Sequence, residues 1–191
     1  LSKRNKCSTD LSSRLVEEVV NLVENPIILK GKFNKEYLDL PDELLNLTMI
    51  HHQRYFPMKL ETDNKLINNF LFVANNFDNK NLITQGNEKV INARLSDAKF
   101  FWDKNKKQSL VKQVTKLNSI VFYQKLGSLY DKTQRVRQLS SFIADTIGAN
   151  KADAEIAASI SKSDLVSDLV GEYPELQLSL IHISEPTRPS V

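Results

Sequence analysis

The sequence predicts an α+β protein in which a mixed α+β unit precedes a helical unit. Residues 54–60 and 66–74 are rich in aromatic and β-branched residues and flank a polar turn, which is typical of a β-hairpin. From Asn87 onward, apolar residues recur at helical spacing instead. The polar stretch 75–86 has no periodicity, and it predicts a loop between the two units.

The first half is predicted to contain two helices before the hairpin. Apolar residues spaced three or four apart predict a helix from Ser13 to Glu24, which Asn25 and Pro26 terminate. Pro41, followed by two acidic residues, predicts the start of a second helix. That helix is expected to carry His51 and His52 near its end.

The second half is predicted to be a succession of helices, the first from Asn87 to about Asn105. Its buried stripe is expected to consist of Ile91, Leu95, Ala98 and Trp102, widened by Val90 and Phe101. The further predicted helices are 110–117, 128–147, 152–161 and 164–171. On helix 128–147 one apolar face contains Val136, Leu139, Ile143 and Ile147, and Gly148 ends the helix.

The composition is that of an ordinary globular protein. Hydrophobic residues make up 41% of the 191 positions, and the net charge of +3 permits contact with a phosphate backbone without requiring it. No apolar run reaches the length of about 20 residues that crosses a bilayer, so no membrane association is expected. The single cysteine, Cys7, fits a reducing cytoplasm.

The sequence contains no recognisable catalytic or metal-binding motif. It has neither a phosphate-binding glycine loop nor a nucleophile elbow. Its three histidines are His51, His52 and His182, and the adjacent pair on a helix would point in different directions rather than chelate one metal. We therefore predict no catalytic residue, no metal ligand and no cofactor held by this chain itself.

Basic and aromatic residues interleave in the second half, which is compatible with RNA binding. The basic residues are Lys104, Lys106, Lys107, Lys112, Lys125, Lys132, Arg135 and Arg137, and the aromatic ones are Phe101, Trp102, Phe122 and Tyr130. The alternative is that the aromatic rings belong to the core and the cations only solvate a surface.

Several long motifs, in a fixed order, are similar to the β subunit of bacterial two-subunit glycyl-tRNA synthetase. They are GNEKV at 86–90, ARLSDAKFFW at 93–102, VFYQKLGSLYDK at 121–132 and KSDLVSDLVGEYPELQ at 162–177. Weaker similarity extends the resemblance to about Leu15–Gln177. The missing initial methionine also suggests an internal fragment.

The resemblance implies a domain organisation. Residues 1–85 would form an N-terminally truncated unit like the B3/B4 editing module, 86–117 connecting helices, and 118–177 the start of an HD-like helical domain. Residues 178–191 depart from the family; they resemble translated sequencing-adapter read-through, and we expect them to be a foreign tail without function.

The resemblance also implies a function. This chain would belong to a ligase of two α and two β chains, in which the α subunit uses ATP, with Mg²⁺, and glycine. The β subunit would bind and position tRNA(Gly), not DNA, and this fragment would act on the acceptor side and not be catalytic alone. The candidate tRNA contacts are Arg54, Arg94, Lys125, Lys132 and Arg135, although Arg94 could instead pair with Asp97.

Two other readings stay open at the level of sequence. One is a non-catalytic RNA-binding or scaffolding module that never meets an α subunit. The other, an HD-type metal-dependent phosphohydrolase, is disfavoured because residues 120–177 contain no histidine. Asp164 and Asp168, expected four apart on one helix face, are better explained by capping or salt bridges.

Overall fold

The computed structural model describes residues 7–9 and 13–179. The chain divides into two compact units between Phe100 and Phe101. The first unit holds a four-stranded antiparallel sheet, and the second is mainly helical with one two-stranded ribbon. The predicted α+β class is confirmed, whereas the B3/B4-like and HD-like assignments stay predictions.

The sheet of the first unit consists of β1 (Cys7–Thr9), β2 (Ile27–Lys32), β3 (Phe56–Leu60) and β4 (Leu66–Ala74). Its strand order is β1-β3-β4-β2, and each neighbouring pair is antiparallel. Strands β3 and β4 form the hairpin that the sequence predicts. Asn64 takes the left-handed conformation, with φ of 56°, that this tight turn requires.

Helix α1 (Ser13–Val20) covers one face of this sheet. Leu15 and Val19 pack against a core formed with residues of three strands: Cys7, Phe56, Met58 and Leu71. The prediction that the helix reaches Glu24 is wrong. The backbone N–H groups of Glu24 and Asn25 donate to Asn75 Oδ1 at 2.9 and 3.3 Å, so they do not continue the helical ladder.

Aromatic rings fill the space on the other face. The rings of Tyr55 and Phe70 stack with centroids 4.6 Å apart, and Phe72 lies within 6 Å of both. Gly31 on β2 meets the Phe70 ring so closely that a Cβ there would lie 2.5 Å from Cζ. Burial raises the pKa of Tyr55 to about 12, and its hydroxyl donates to Asn87 Oδ1 at 2.6 Å.

A 3₁₀ turn (Lys35–Asp39) leads to helix α2 (Asp42–Asn46), which continues as a π-helical turn, Leu47–His52. Pro41 precedes the first helical residue, and the two histidines lie at the end of the π-helical turn, as predicted. The Thr48 hydroxyl donates back to the carbonyl of Leu44 at 2.8 Å, a bond that is often found where helices bend.

Helix α3 (Leu82–Lys106) is longer than predicted. The prediction of a loop as far as Gly86 is wrong, because the Asp78 carboxylate accepts the backbone N–H groups of Ile83 and Thr84 and caps the helix earlier. The four predicted stripe residues are all buried. Val90 does not widen that stripe, since its side chain is 45% exposed.

The second unit continues with short helical segments. Helix α4 (Leu110–Gln113) runs into a 3₁₀ turn (Val114–Ser119), and α5 (Leu129–Ile147) follows the ribbon β5 (Val121–Tyr123) and β6 (Gly127–Ser128). Helix α6 (Lys151–Ile160) comes next. The chain then forms a 3₁₀ turn (Ser163–Val166), α7 (Asp168–Glu172) and a last 3₁₀ turn (Pro174–Leu176).

Helices α5 and α6 form a hairpin whose turn matches the predicted signals. Gly148 ends α5 in the left-handed conformation, with φ of 71°. Asn150 then caps α6 by accepting the N–H groups of Ala152 and Asp153.

The predicted single helix 164–171 is wrong. Ser167 is extended, with ψ of 142°, and its hydroxyl accepts the N–H of Val170 to start α7. Asp164 and Asp168 therefore belong to two different segments.

Candidate nucleic-acid interface

The ribbon of the second unit is joined to the start of α5 by a network of hydrogen bonds. Ser128 caps α5, and the Asp131 carboxylate accepts the N–H of Ser128 at 2.7 Å, which completes a capping box. Gly127 has φ of 83°, and a Cβ at this position would collide with the Asp131 carboxylate. The motif LGSLYD therefore encodes both the tight turn and the cap.

Three of the five predicted tRNA contacts lie at this junction. The Lys132 ammonium lies over the Phe122 ring, 4.1 Å from its centroid, and Arg135 donates from Nη2 to the carbonyl of Leu126 at 3.1 Å. Lys125 is exposed in the turn of the ribbon. We call these cations, together with the exposed side chains of β5, the hairpin surface: Val121, Phe122, Tyr123, Lys125, Lys132 and Arg135.

The hairpin surface exposes aromatic as well as basic groups. Tyr123 is 61% exposed, so a planar ligand can reach its ring, whereas Phe122 is 39% exposed and has the Lys132 ammonium over one face of its ring. Sequence reasoning missed Tyr123 as a candidate. The signal was the short apolar run VFY, followed four residues later by a glycine, which indicates a ribbon with little to pack against.

One carboxylate lies within this basic surface. The backbone N–H of Ser128, its hydroxyl and the nearby Arg135 hold the pKa of Asp131 below its ordinary value. Asp131 therefore stays ionised at neutral pH, and the three cations and this carboxylate leave an excess of positive charge. Such a surface suits a phosphate backbone.

Arg54 lies in the first unit and is held by three partners. Its Nε contacts Glu18 Oε2 at 2.7 Å, and its Nη1 donates to the carbonyls of Ile50 and His51. Its backbone has φ of 58°, because it ends the π-helical turn: Arg54 N–H donates to Ile50 and Tyr55 N–H to Met49. These contacts give Arg54 a structural role, and its role in RNA binding stays a prediction.

Arg94 is exposed on α3, also in the first unit. Among residues 7–9 and 13–179, no ion pair joins it to Asp97, so the structure does not contain the alternative partner considered from the sequence. Arg94 thus presents a solvated cation, and its contact with RNA stays a prediction.

Two of the other basic residues noted in the sequence form ion pairs instead. Lys104 pairs with Asp168 at 2.9 Å, and Arg137 pairs with Glu155 at 2.8 Å. Lys106 lies 5.9 Å from the Trp102 ring, but that ring is only 8% exposed and cannot stack on a base. Trp102 is a core residue, as the alternative reading of the sequence proposed.

The two aspartates that an HD-type site would need have separate structural partners. Asp164 is fully buried, and its Oδ2 accepts the N–H of Leu178 at 2.7 Å. Asp168 is exposed and pairs with Lys104. Within the described ranges, no three histidine, cysteine or acidic side chains come together in a way that could hold a metal ion.

In the part of the chain that the structure describes, no helix is long and apolar enough to cross a membrane. The predicted tail falls largely outside these residues, since the description ends at residue 179.

Comparison with known proteins gives a consistent result. The family model described as glycyl-tRNA synthetase beta subunit matches residues 1–179. The glycine–tRNA ligase beta subunit of Listeria welshimeri is 47% identical over 167 residues, which are 85% of this chain and 24% of that protein. The protein of the same name from Neisseria meningitidis serogroup C is 41% identical over 177 residues, which are 92% of this chain and 26% of that protein.

The chain thus spans about a quarter of the length of these curated relatives. The family match covers most of the chain, includes all four motifs noted in the sequence and extends further toward the N-terminus than the resemblance seen there. On this evidence, the chain belongs to the glycyl-tRNA synthetase β-subunit family.

Proposed function

We propose that this chain is a part of a glycine–tRNA ligase β subunit that binds tRNA(Gly) and positions it for glycylation. ATP, Mg²⁺ and glycine would be used at the active site of an α subunit, in a cytoplasmic assembly of two α and two β chains. The observation that carries the proposal is the hairpin surface, an exposed pair of aromatic rings among three cations in a member of this family.

The chemistry of the hairpin surface supports contact with RNA. Lysine and arginine side chains neutralise phosphates, and exposed tyrosine and phenylalanine rings stack on unpaired bases. Tyr123 and Phe122 are neighbours on β5, and Lys125 lies in the turn of the ribbon. The ribbon could therefore meet RNA at its tip.

The proposed positioning role rests on the different roles expected of the two subunits, with the chemistry on α and tRNA binding on β. Joining glycine to tRNA requires the acceptor end to reach the reaction centre in the correct orientation, and orientation alone is worth several orders of magnitude in rate. A subunit that holds the tRNA but performs no chemistry fits a chain in which no catalytic constellation is predicted. We expect this part to contact the acceptor side of the tRNA.

The first test is tRNA(Gly) affinity as a function of salt concentration. The test variant combines Lys125→Ala, Lys132→Ala and Arg135→Gln. We expect its affinity to fall at least about tenfold and its salt slope to lose about 2–3 units, because up to three phosphate contacts disappear.

The control variant combines Lys35→Ala, Lys80→Ala and Lys89→Ala, three exposed lysines of the first unit. It removes the same charge, and we expect nearly unchanged affinity. An equal loss in both variants would mean that net charge alone attracts the tRNA, and the hairpin surface would then have no special role.

The second test is glycylation of tRNA(Gly) by a purified α subunit, with this chain, with a full-length β subunit, or with neither. Activity restored by this chain and reduced in the hairpin variant would support positioning within these residues. Tight tRNA binding without any effect of a β chain on glycylation would instead favour the scaffolding module. Protection of the anticodon loop in a footprint would overturn the acceptor-side assignment.

A further inference from the structure

Helix α5 carries a broad apolar surface that the described residues leave uncovered. Val136 is 37% exposed, and the remaining members of the surface are between 55% and 72% exposed. We call this surface the α5 apolar face, and it consists of Val136, Leu139, Phe142, Ile143 and Ile147. The opposite side of α5, which includes Thr133 and Ala144, is the side that packs within the second unit.

The α5 apolar face has the form of a helix-packing surface. Leu139, Ile143 and Ile147 follow one another at intervals of four residues, which makes a ridge along the helix. Ridges of this kind fit into the grooves of a second helix. Between Val136 and Ile147 the face has no charged side chain, so neither a phosphate backbone nor a charged peptide would find a partner there.

Helices α6 and α4 also carry apolar side chains that are exposed to solvent. Ile156 on α6 and Val111 on α4 are each 56% exposed and line a groove of about 440 Å³. Monomeric proteins rarely expose several large apolar side chains on one contiguous surface. The second unit thus exposes to water, on α4, α5 and α6, large apolar side chains that are typical of a domain interior.

We infer that the α5 apolar face is an intramolecular docking surface, covered in the full-length β subunit by a helix from the same polypeptide. The length of the relatives is the argument for this occupant. The matched region makes up only 24–26% of their chains, so about three quarters of the polypeptide lies outside it. A wholly apolar ridge is typical of a permanent contact rather than a transient one.

The test compares one exposed position on the face with one off it. Ile143→Cys lies on the face, and Gln138→Cys is an exposed control on the same helix. Each substitution is made in this chain and at the aligned position of the full-length Listeria welshimeri β subunit. The rate of maleimide labelling is read for each position by peptide mass spectrometry, so other cysteines do not interfere.

In this chain we expect the two positions to react at similar rates. In the full-length β subunit alone, we expect position 143 to react at least about tenfold more slowly than position 138, because its thiol is buried. Equal rates in the full-length subunit would overturn the proposal. So would protection that appears only after an α subunit is added, or only as the concentration of the β chain rises, since those results indicate a subunit partner or a second copy.

A second variant guards against a local effect of cysteine. Ile143→Asp places a charge on the face, and we expect it to lower the melting temperature of the full-length subunit by several degrees. In this chain, where the side chain is 55% exposed, the same change should shift the melting temperature by about 1 °C or less. An equal shift in both proteins would contradict the inference, and neither variant touches the hairpin surface.

Discussion

The two units of this protein differ in how completely they cover their apolar residues. The sheet of the first unit has α1 packed on one face and buries the Tyr55–Phe70–Phe72 cluster on the other. In the second unit, the longest helix presents five large apolar side chains to solvent. The comparison teaches that an amphipathic pattern fixes which side of a helix is apolar, whereas a separate partner decides whether that side is buried.

The contrast has a limit in the first unit. A groove of about 220 Å³ opens beside α1 and is lined by apolar side chains alone, including Val20 and Ile28, which are 63% and 58% exposed. Val20 is the last residue of α1, and Ile28 lies on the edge strand β2. These two uncovered residues of the first unit are thus peripheral, while the α5 apolar face of the second unit runs along the middle of its main helix.

The largest effect is expected from removing a ring in the covered unit. Phe70→Ala should lower the free energy of unfolding by about 3–5 kcal/mol, because Phe70 is fully buried and its loss leaves a cavity. Phe142→Ala on the α5 apolar face should change it by no more than about 0.5 kcal/mol, since that ring is 70% exposed. Urea unfolding followed by circular dichroism measures both values, and similar losses would remove the basis of the comparison.

A smaller effect is expected from adding one methyl group beside the same ring. Gly31→Ala should destabilise the protein by about 1–3 kcal/mol, because the new Cβ would press on the Phe70 ring from 2.5 Å. Gly86→Ala is the matched control, since nothing lies within 4 Å of its added Cβ and alanine favours the helix. Chemical denaturation should show a loss for the first variant and a gain for the second.

The end of the second unit should respond in the opposite direction. Leu178 has φ of 70°, a conformation that costs a leucine about 1–2 kcal/mol but that glycine adopts freely. Leu178→Gly should therefore raise the free energy of unfolding by about 0.5 kcal/mol, after the larger chain entropy of glycine is subtracted. Leu178→Ala keeps the strain and should bring no gain, and a gain from alanine equal to that from glycine would point to the lost side chain instead.

The smallest effect is expected from the exposed cap of α5, and it depends on pH. The pKa of Asp131 is lowered in the folded protein, chiefly by the N–H of Ser128. The stabilisation is therefore complete above the unfolded-state pKa and is lost as the pH falls through the lowered folded-state pKa. The difference in melting temperature between the native chain and Asp131→Asn should shrink on acidification, and a constant difference would show that the charge of Asp131 is not involved.

Local signals predicted much of the fold correctly. The β3–β4 hairpin, the buried stripe of α3 and the α5–α6 hairpin follow from periodicity and from capping residues that lie next to the helices they cap. The boundaries that were wrong depend on side-chain hydrogen bonds that periodicity does not show. Asp78 caps α3 from four residues before its start, and the Ser167 hydroxyl starts α7 inside the predicted helix 164–171. Asn75 accepts the N–H groups of Glu24 and Asn25 from 51 and 50 residues away.

The candidate site was predicted in part, because some of its residues lie close together in the sequence. Lys125, Lys132 and Arg135 are near in sequence, so a turn followed by a helix brings them together. The ion pair of Arg54 could not be predicted from the sequence, because its partner Glu18 is 36 residues away. Glu18 approaches Arg54 only when α1 packs on the sheet. Helical periodicity did predict that Trp102 is buried, whereas Tyr123 was not recognised from the sequence as an exposed ring.

Hydrogen bonds join the ribbon to the start of α5, so we expect the ribbon and the helix to move together. Ser128, Asp131, Arg135 and the bond from Leu129 N–H to Ile120 O fasten the ribbon to the first turns of the helix. The 19 residues of α5 span about 28 Å, so a tilt of about 10° around the Gly148 end would swing the ribbon by about 5 Å. A helix packed along α5 would then set the position of Tyr123 and Lys125 without touching either residue.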